Sequence, residues 1–242
     1  MIVVPVSGGK DSQACLKLAV NEYGAENVQG LFCDTLFEHP MTYDHIEWMA
    51  QHYGVNITCI NAGSVEEKIL KYKRFPGGGA RHCTEELKIV PSKKYYKKLA
   101  AQIGGFEVWY GVRANESAQR AKRYIGKVGD DVYPPNDVLR KYPKYLYKMG
   151  VVFRLPIIDW TEEDVFEYLD GEQNPLYKKG FDRVGCFPCL AGGDKSKAKA
   201  FFFDDTGKKH YEMVKELESI TKVSIWRSKS GKESYGCSFC AI

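Results

Sequence analysis

The sequence has no apolar run of about 18 residues, the length at which a stretch reads as a membrane-spanning helix, so no membrane association is expected. It lacks a strong charge of either sign. Thirty-five Lys and Arg stand against 31 Asp and Glu in 242 residues, a net charge of +4. That balance is too small to require a nucleic-acid partner, though it permits one, as it permits a nucleotide. There is no internal repeat and no low-complexity segment. No secretory leader is expected, because Met1 runs straight into an apolar stretch. The G-x-x-x-x-G-K-[ST] phosphate loop is also absent. What remains is the composition of an ordinary soluble globular chain, 44% hydrophobic and 27% charged.

Eight cysteines are present. In a small secreted protein they would read as a disulfide frame, but a chain of this size does not need one. Four of them form two CxxC pairs, Cys186/Cys189 and Cys237/Cys240, each following a glycine. Two such pairs bring four thiolates together, so they read as a metal or redox site in a reducing, cytoplasmic setting. Structural Zn²⁺ and an iron–sulfur cluster fit that count equally well. Cys15, Cys33 and Cys59 fall in apolar patterns and are expected in the core.

Apolar runs alternate with helical patterns. Strands are expected over 2–6, 28–34, 55–60 and 106–112, and helices over 10–23, 41–54, 64–72, 92–103 and 160–169. Ser64 with Glu67, and Thr161 with Asp164, have capping-box spacing. This alternation predicts an α/β fold with a doubly wound, mainly parallel sheet. The character changes near residue 175, where the CxxC cysteines begin. The expected organisation is therefore a nucleotide-binding domain over 1–174 and a Cys-rich C-terminal extension over 175–242. Residues 120–150 read as a long, partly irregular insertion, a kind of loop that is usually functional or mobile. Its eight Lys and Arg alternate with Tyr124, Tyr133, Tyr142, Tyr145 and Tyr147. Cations interleaved with aromatics suit a nucleic-acid strand, and a solvated lysine-rich loop is the competing reading.

The stretch "VSGGKDS" joins the first strand to the first helix. Adjacent Gly8 and Gly9 let backbone N–H groups wrap an anion without Cβ obstruction. Ser7 and Ser12 add hydroxyls, Lys10 adds charge, and the helix beginning at Lys10 turns its positive end to the anion. Asp11 reads as a Mg²⁺ ligand or a brace for the loop. A plain glycine turn is the bland reading, and six matched positions in a strand–loop–helix context weigh against it. Asp34 closes the second strand, at a carboxyl end where α/β sheets bind ligands; a helix N-cap is its competing reading. Arg113, Glu116 and Arg120 would share one face of a helix, either as an anion site behind the Gly111 turn or as a solvated ion-pair ladder. Lys88 could be a plain surface lysine.

"SGGKDS" resembles the pyrophosphate-loop motif of the N-type ATP pyrophosphatases. Within that superfamily the chain is similar to the phosphoadenosine phosphosulfate (PAPS) reductase family. "CDTLFEHPMTYDHI", "RHCTEELKIVP", "YGVRANESAQR" and "NPLYKKGFDRVGCFPC" resemble its further motifs, in family order. The resemblance implies an adenine nucleotide alpha hydrolase-like fold and a nucleotide site built from Ser7, Gly8, Gly9, Lys10, Asp11, Ser12, Asp34, Lys88, Gly111, Arg113, Glu116 and Arg120. Within this set Lys10, Asp11 and Ser12 would be catalytic, together with Cys83. It favours a [4Fe–4S] cluster at Cys186, Cys189, Cys237 and Cys240. Cys83, preceded by His82 where cluster-bearing relatives have a second cysteine, is either a ligand in place of one of these or a sulfur-carrying thiol. The Glu-Cys-Gly-x-His stretch of the assimilatory reductases does not occur. The resulting expectation is an ATP- and Mg²⁺-dependent enzyme that adenylates a substrate for sulfur incorporation, closest to DNA phosphorothioation, with a cysteine desulfurase as sulfur donor. Sulfonucleotide reduction, tRNA thiolation and a non-catalytic binding module are the rivals, and a homo-oligomer is left open.

Overall fold

The computed structural model describes residues 1–77 and 81–226. The opening apolar run is β1 (Ile2–Val6), buried along its whole length. The chain continues through α1 (Lys10–Tyr23), β2 (Val28–Asp34), α2 (Pro40–Tyr53), β3 (Asn56–Asn61), α3 (Val65–Tyr72), α4 (Val90–Ile103) and β4 (Phe106–Trp109). Next come α5 (Ala118–Arg123), β5 (Val132–Tyr133), β6 (Val151–Arg154), α6 (Glu162–Leu169), α7 (Asp194–Phe201) and α8 (Asp205–Thr221). The strands form one sheet in the order β3-β2-β1-β4-β6-β5, and only the β5–β6 pair is antiparallel. This is the expected doubly wound α/β architecture. β1 lies between β2 and β4, so the strand order reverses there and a crevice opens beyond the carboxyl ends of those strands.

Local chemistry sets the helix starts. Ser64 and Glu67 form a reciprocal capping box on α3, as do Thr161 and Asp164 on α6. Pro40 occupies the first turn of α2, and the Nδ1 of its N-cap His39 accepts from the Met41 N–H at 3.1 Å.

The segment 120–150 is partly irregular, as expected, but part of it is packed into the core rather than loose. Tyr124, Val138, Leu139, Tyr142 and Leu146 are buried with Val108 and Phe153 in the core on one face of the sheet. Two of the five tyrosines proposed for a nucleic-acid strand are thus core residues, while Tyr145 and Tyr147 face solvent. The strands β5 and β6 have no counterpart in the sequence reading. Cys15 and Cys33 are buried as expected, but Cys59 is exposed; β3 is the edge of the sheet and has solvent on its outward positions.

Beyond residue 175 the described chain packs against α3 and the loop after β2. Phe201, Val214 and Leu217 share a core with Phe37, Val65 and Ile69. The Phe187 N–H donates to the Phe37 carbonyl at 2.7 Å, and Cys186 bridges to Glu38. Cys237 and Cys240 lie outside the described residues. Among the described residues no helix is long and apolar enough to cross a membrane.

Candidate functional site

Residues 7–12 leave β1 and enter α1 beneath a cleft of about 210 Å³, bordered by Ser7, Gly9, Asp11, Gly111, Arg113 and Arg120 among others. Gly8 takes a φ of +74°, and a Cβ there would meet the Thr42 Cγ2 at 2.5 Å, so glycine is the residue that fits. Gly111 is fixed differently. Its missing Cβ would lie 2.5 Å from the Asp11 carbonyl oxygen, so the end of β4 passes directly against the first turn of α1. Gly111→Ala is expected to lower stability by about 1–3 kcal/mol, the range for forced overpacking; a denaturant titration matching the wild type would contradict that close approach.

The loop's polar groups are largely committed to one another. Ser12 Oγ accepts from the Ser7 N–H at 3.1 Å and donates to the Gly9 carbonyl at 2.9 Å. Ser12 therefore braces the loop, and its proton is spoken for rather than aimed at an anion. The Lys10 N–H donates to Tyr177 Oη at 3.0 Å. The Lys10 ammonium, 4% exposed, pairs with Glu162 at 3.0 Å and Asp11 at 3.3 Å. Asp11 Oδ1 accepts from Arg113 Nε at 2.6 Å. Asp11 thus has a cation at each oxygen, Arg113 and Lys10, both at the cleft wall.

Arg113, Glu116 and Arg120 converge on this cleft without sharing a helix. Arg113 is in extended backbone, Glu116 ends a 3₁₀ turn, and Arg120 belongs to α5, capped by Ser117. Arg120 is 1% exposed and paired with Glu116. Burial depresses its guanidinium from the ordinary value, and Glu116 opposes that shift. Lys88 is buried too, which removes the surface-lysine reading. It sits in a π turn, Glu85–Ile89, and borders a second cleft of about 270 Å³ that also reaches Ser7.

Asp34 caps no helix, since the N-cap of α2 is His39. Its Oδ1 accepts from the Leu36 N–H and from Tyr43 Oη, both at 2.8 Å. Cys83, Cys186 and Cys189 border one small cavity with Lys88 and Thr35. Cys186 Sγ lies 3.4 Å from Thr35 Oγ1 and 3.8 Å from Glu38 Oε1. Burial pushes the Cys186 thiol up to about 12, with the Glu38 carboxylate adding to the effect. Among the described residues, no group of three or more His, Cys, Asp or Glu is arranged to hold a metal ion.

Several participants escaped the sequence reading. Tyr177 and Arg183, which both border the cleft, fall inside the quoted "NPLYKKGFDRVGCFPC" stretch, but nothing in their spacing tied them to the loop. Glu162 reads as a routine acidic residue in the first turn of a helix. Glu38 is buried at 4% exposure and accepts from the Thr35 and Phe37 N–H groups and the Thr35 hydroxyl.

The family model of the phosphoadenosine phosphosulfate reductase domain matches residues 1–192. The chain is 29% identical over 244 aligned residues to an uncharacterized protein of Methanocaldococcus jannaschii, covering 96% of this chain and 46% of that protein. It is 30% identical over 171 residues to an adenosine 5'-phosphosulfate reductase of Pseudomonas aeruginosa, covering 67% of this chain and 57% of the other. The chain thus spans about half the length of these curated relatives. Among solved structures, a phosphoadenylyl-sulfate reductase from Candida auris, determined as a phosphate complex, superposes with a TM-score of 0.50 at 18% identity, covering 77% of this chain and 81% of that one. That likeness concerns the fold.

Proposed function

The chain belongs to the phosphoadenosine phosphosulfate reductase domain family, and we propose that it is an ATP pyrophosphatase-type enzyme that adenylates a substrate so that sulfur can replace an oxygen on it. The observation that carries this reading is the cleft at the start of α1, where Arg113 and Arg120, both buried, face a glycine-opened loop and a helix N-terminus. Such a site suits a polyphosphate. In the proposed reaction an oxygen of the target attacks the α-phosphorus of ATP, the bond to the β-phosphate breaks, and pyrophosphate leaves into the loop. A sulfur nucleophile, supplied by a cysteine desulfurase partner, then displaces AMP. Arg113 and Arg120 take up charge as pyrophosphate forms, and Asp11 keeps Arg113 in place. Asp182 borders the same cleft and is a carboxylate that could hold Mg²⁺ entering with the nucleotide. That ion would supply further charge neutralisation at the phosphates.

A nucleic-acid backbone is the proposed target, as in DNA phosphorothioation. Arg140, Lys141, Lys144 and Lys148 are exposed, as are Lys94, Lys97 and Lys98 on α4, and Lys97 Nζ lies 5.6 Å from the ring centre of exposed Tyr145. Replacing Arg140, Lys141 and Lys144 with alanine should weaken DNA binding and flatten its dependence on salt, by roughly 0.9 in log–log slope for each phosphate that the protein no longer neutralises. ATP binding should survive.

Sulfonucleotide reduction is the second reading, favoured by the similarity to the Pseudomonas enzyme. One experiment separates the two. ATP with DNA is offered in one tube, and PAPS or APS with thioredoxin in another. Pyrophosphate release with DNA binding supports adenylation. Sulfite in the second tube, with no DNA binding in the first, makes the protein a reductase.

A further inference from the structure

Behind the phosphate loop lies a buried amide with nothing to hold. Asn174 is 0% exposed. Its Oδ1 caps the short turn Pro175–Lys178 by accepting from the Leu176 N–H at 3.0 Å, while its Nδ2 is buried without a hydrogen-bond partner. A buried donor left unpaired costs stability, so such a group in a folded protein points to a use. The amide faces the loop. A Cβ on Gly8 would lie 3.7 Å from Nδ2, and the other atoms nearest to that point are the Cγ2 and Cβ carbons of Thr42. Gly9 borders the cleft, whereas neither Asn174 nor Thr42 does, so Nδ2 stands behind the loop rather than in the anion's place.

Peptide geometry gives that donor a task. The Ser7 N–H is engaged by Ser12 Oγ and the Lys10 N–H by Tyr177 Oη. Between them, the Gly8–Gly9 peptide is the part of the loop left to turn a donor to the cleft. That peptide is trans, and in a trans peptide the C=O and the N–H point in opposite directions. When the Gly9 N–H turns to an anion in the cleft, the Gly8 carbonyl turns away from it, to the side on which Nδ2 lies. We propose that Asn174 is a positioning residue of the phosphate loop: on anion binding its Nδ2 donates to the Gly8 carbonyl and holds the Gly8–Gly9 peptide with its N–H toward the phosphates. The turn that Asn174 caps already grips the loop two residues on, through Tyr177 and the Lys10 N–H. The inference rests on the reading of the cleft as a polyphosphate site and deepens it.

The test uses inorganic pyrophosphate and ATP as probes. Asn174→Ser keeps an oxygen to cap the turn but lacks the amide. Without ligand it should unfold at the wild-type temperature, because Nδ2 makes no bond in the free protein. It should nevertheless bind pyrophosphate and ATP roughly 3- to 10-fold more weakly, the weight of one hydrogen bond. In the wild type, nitrogen-15 NMR should show one of the two Asn174 side-chain amide protons moving downfield as pyrophosphate is added, a change that a merely structural amide would not show. Equal pyrophosphate affinity in wild type and Asn174→Ser overturns the inference. So does an Asn174 amide signal that stays in place at saturating pyrophosphate, and this reading stands even if Asn174→Ser unfolds early. A wild-type protein that binds neither pyrophosphate nor ATP overturns the polyphosphate reading of the cleft itself, and the inference with it.

Discussion

Asp11→Ala should reduce pyrophosphate release from ATP by about 10²–10³-fold, the cost of removing one preorganised element from an anion-stabilising site. The effect is large because Asp11 acts through two cations. It accepts from Arg113 at 2.6 Å and pairs with Lys10 at 3.3 Å, and both cations are almost fully buried. Without the carboxylate, Arg113 loses the partner that fixes its direction, and the cleft loses a charge placed in advance of the reaction. Ser12→Ala should have a comparable effect by another route, since Ser12 Oγ ties the Ser7 N–H to the Gly9 carbonyl and so shapes the loop. Thermal unfolding of both variants separates loss of catalysis from loss of fold, and Asp11→Asn, which retains an oxygen for Arg113, should fall between. Undiminished ATP cleavage in Asp11→Ala and Ser12→Ala would remove the pyrophosphatase reading.

What the sequence revealed and what it hid divide along physical lines. α1 and α2 were legible because each runs 14 residues and is bounded by glycine or proline, and β1 and β2 because they are apolar runs that lead into those helices. The capping boxes at Ser64 and Thr161 were legible because a cap is a local, fixed-spacing interaction. The membership of the cleft was legible only as motifs, because Lys10, Arg113 and Glu162 meet through the sheet topology rather than through spacing. The reading of Arg113, Glu116 and Arg120 as one helix face failed for the same reason: Ser117 restarts the helix between them, and the three converge by way of a turn. Two of the insertion's tyrosines were misassigned because Tyr124 and Tyr142 look like solvent-facing aromatics among lysines. Tyr142 in fact hydrogen-bonds through its hydroxyl to Tyr110 at 2.9 Å and, like Tyr124, belongs to the same buried cluster as Phe153.

Cys186→Ser or Cys189→Ser should abolish metal binding in anaerobically purified protein. The expectation rests on the CxxC spacing and on thiolates being the donors that both zinc and iron–sulfur sites use; Cys83, Cys186 and Cys189 border a single cavity but do not by themselves form a metal-binding group among the described residues. A fourth donor would come from Cys237 or Cys240. The wild-type protein is expected to carry about four irons and four sulfides per chain, with broad brown absorbance, and each serine variant is expected to lose both signals together. Comparing Cys237→Ser with Cys240→Ser identifies the fourth ligand: the variant that keeps its iron marks the cysteine outside the set. If Cys83→Ser keeps a full complement of iron but loses sulfur incorporation, Cys83 is the sulfur-carrying thiol and both cysteines of the last pair are ligands. One zinc and no iron in the wild type would make the thiols a structural clamp between the loop at Cys83 and the segment at Cys186, and would leave the sulfur chemistry to the cleft and its partner protein.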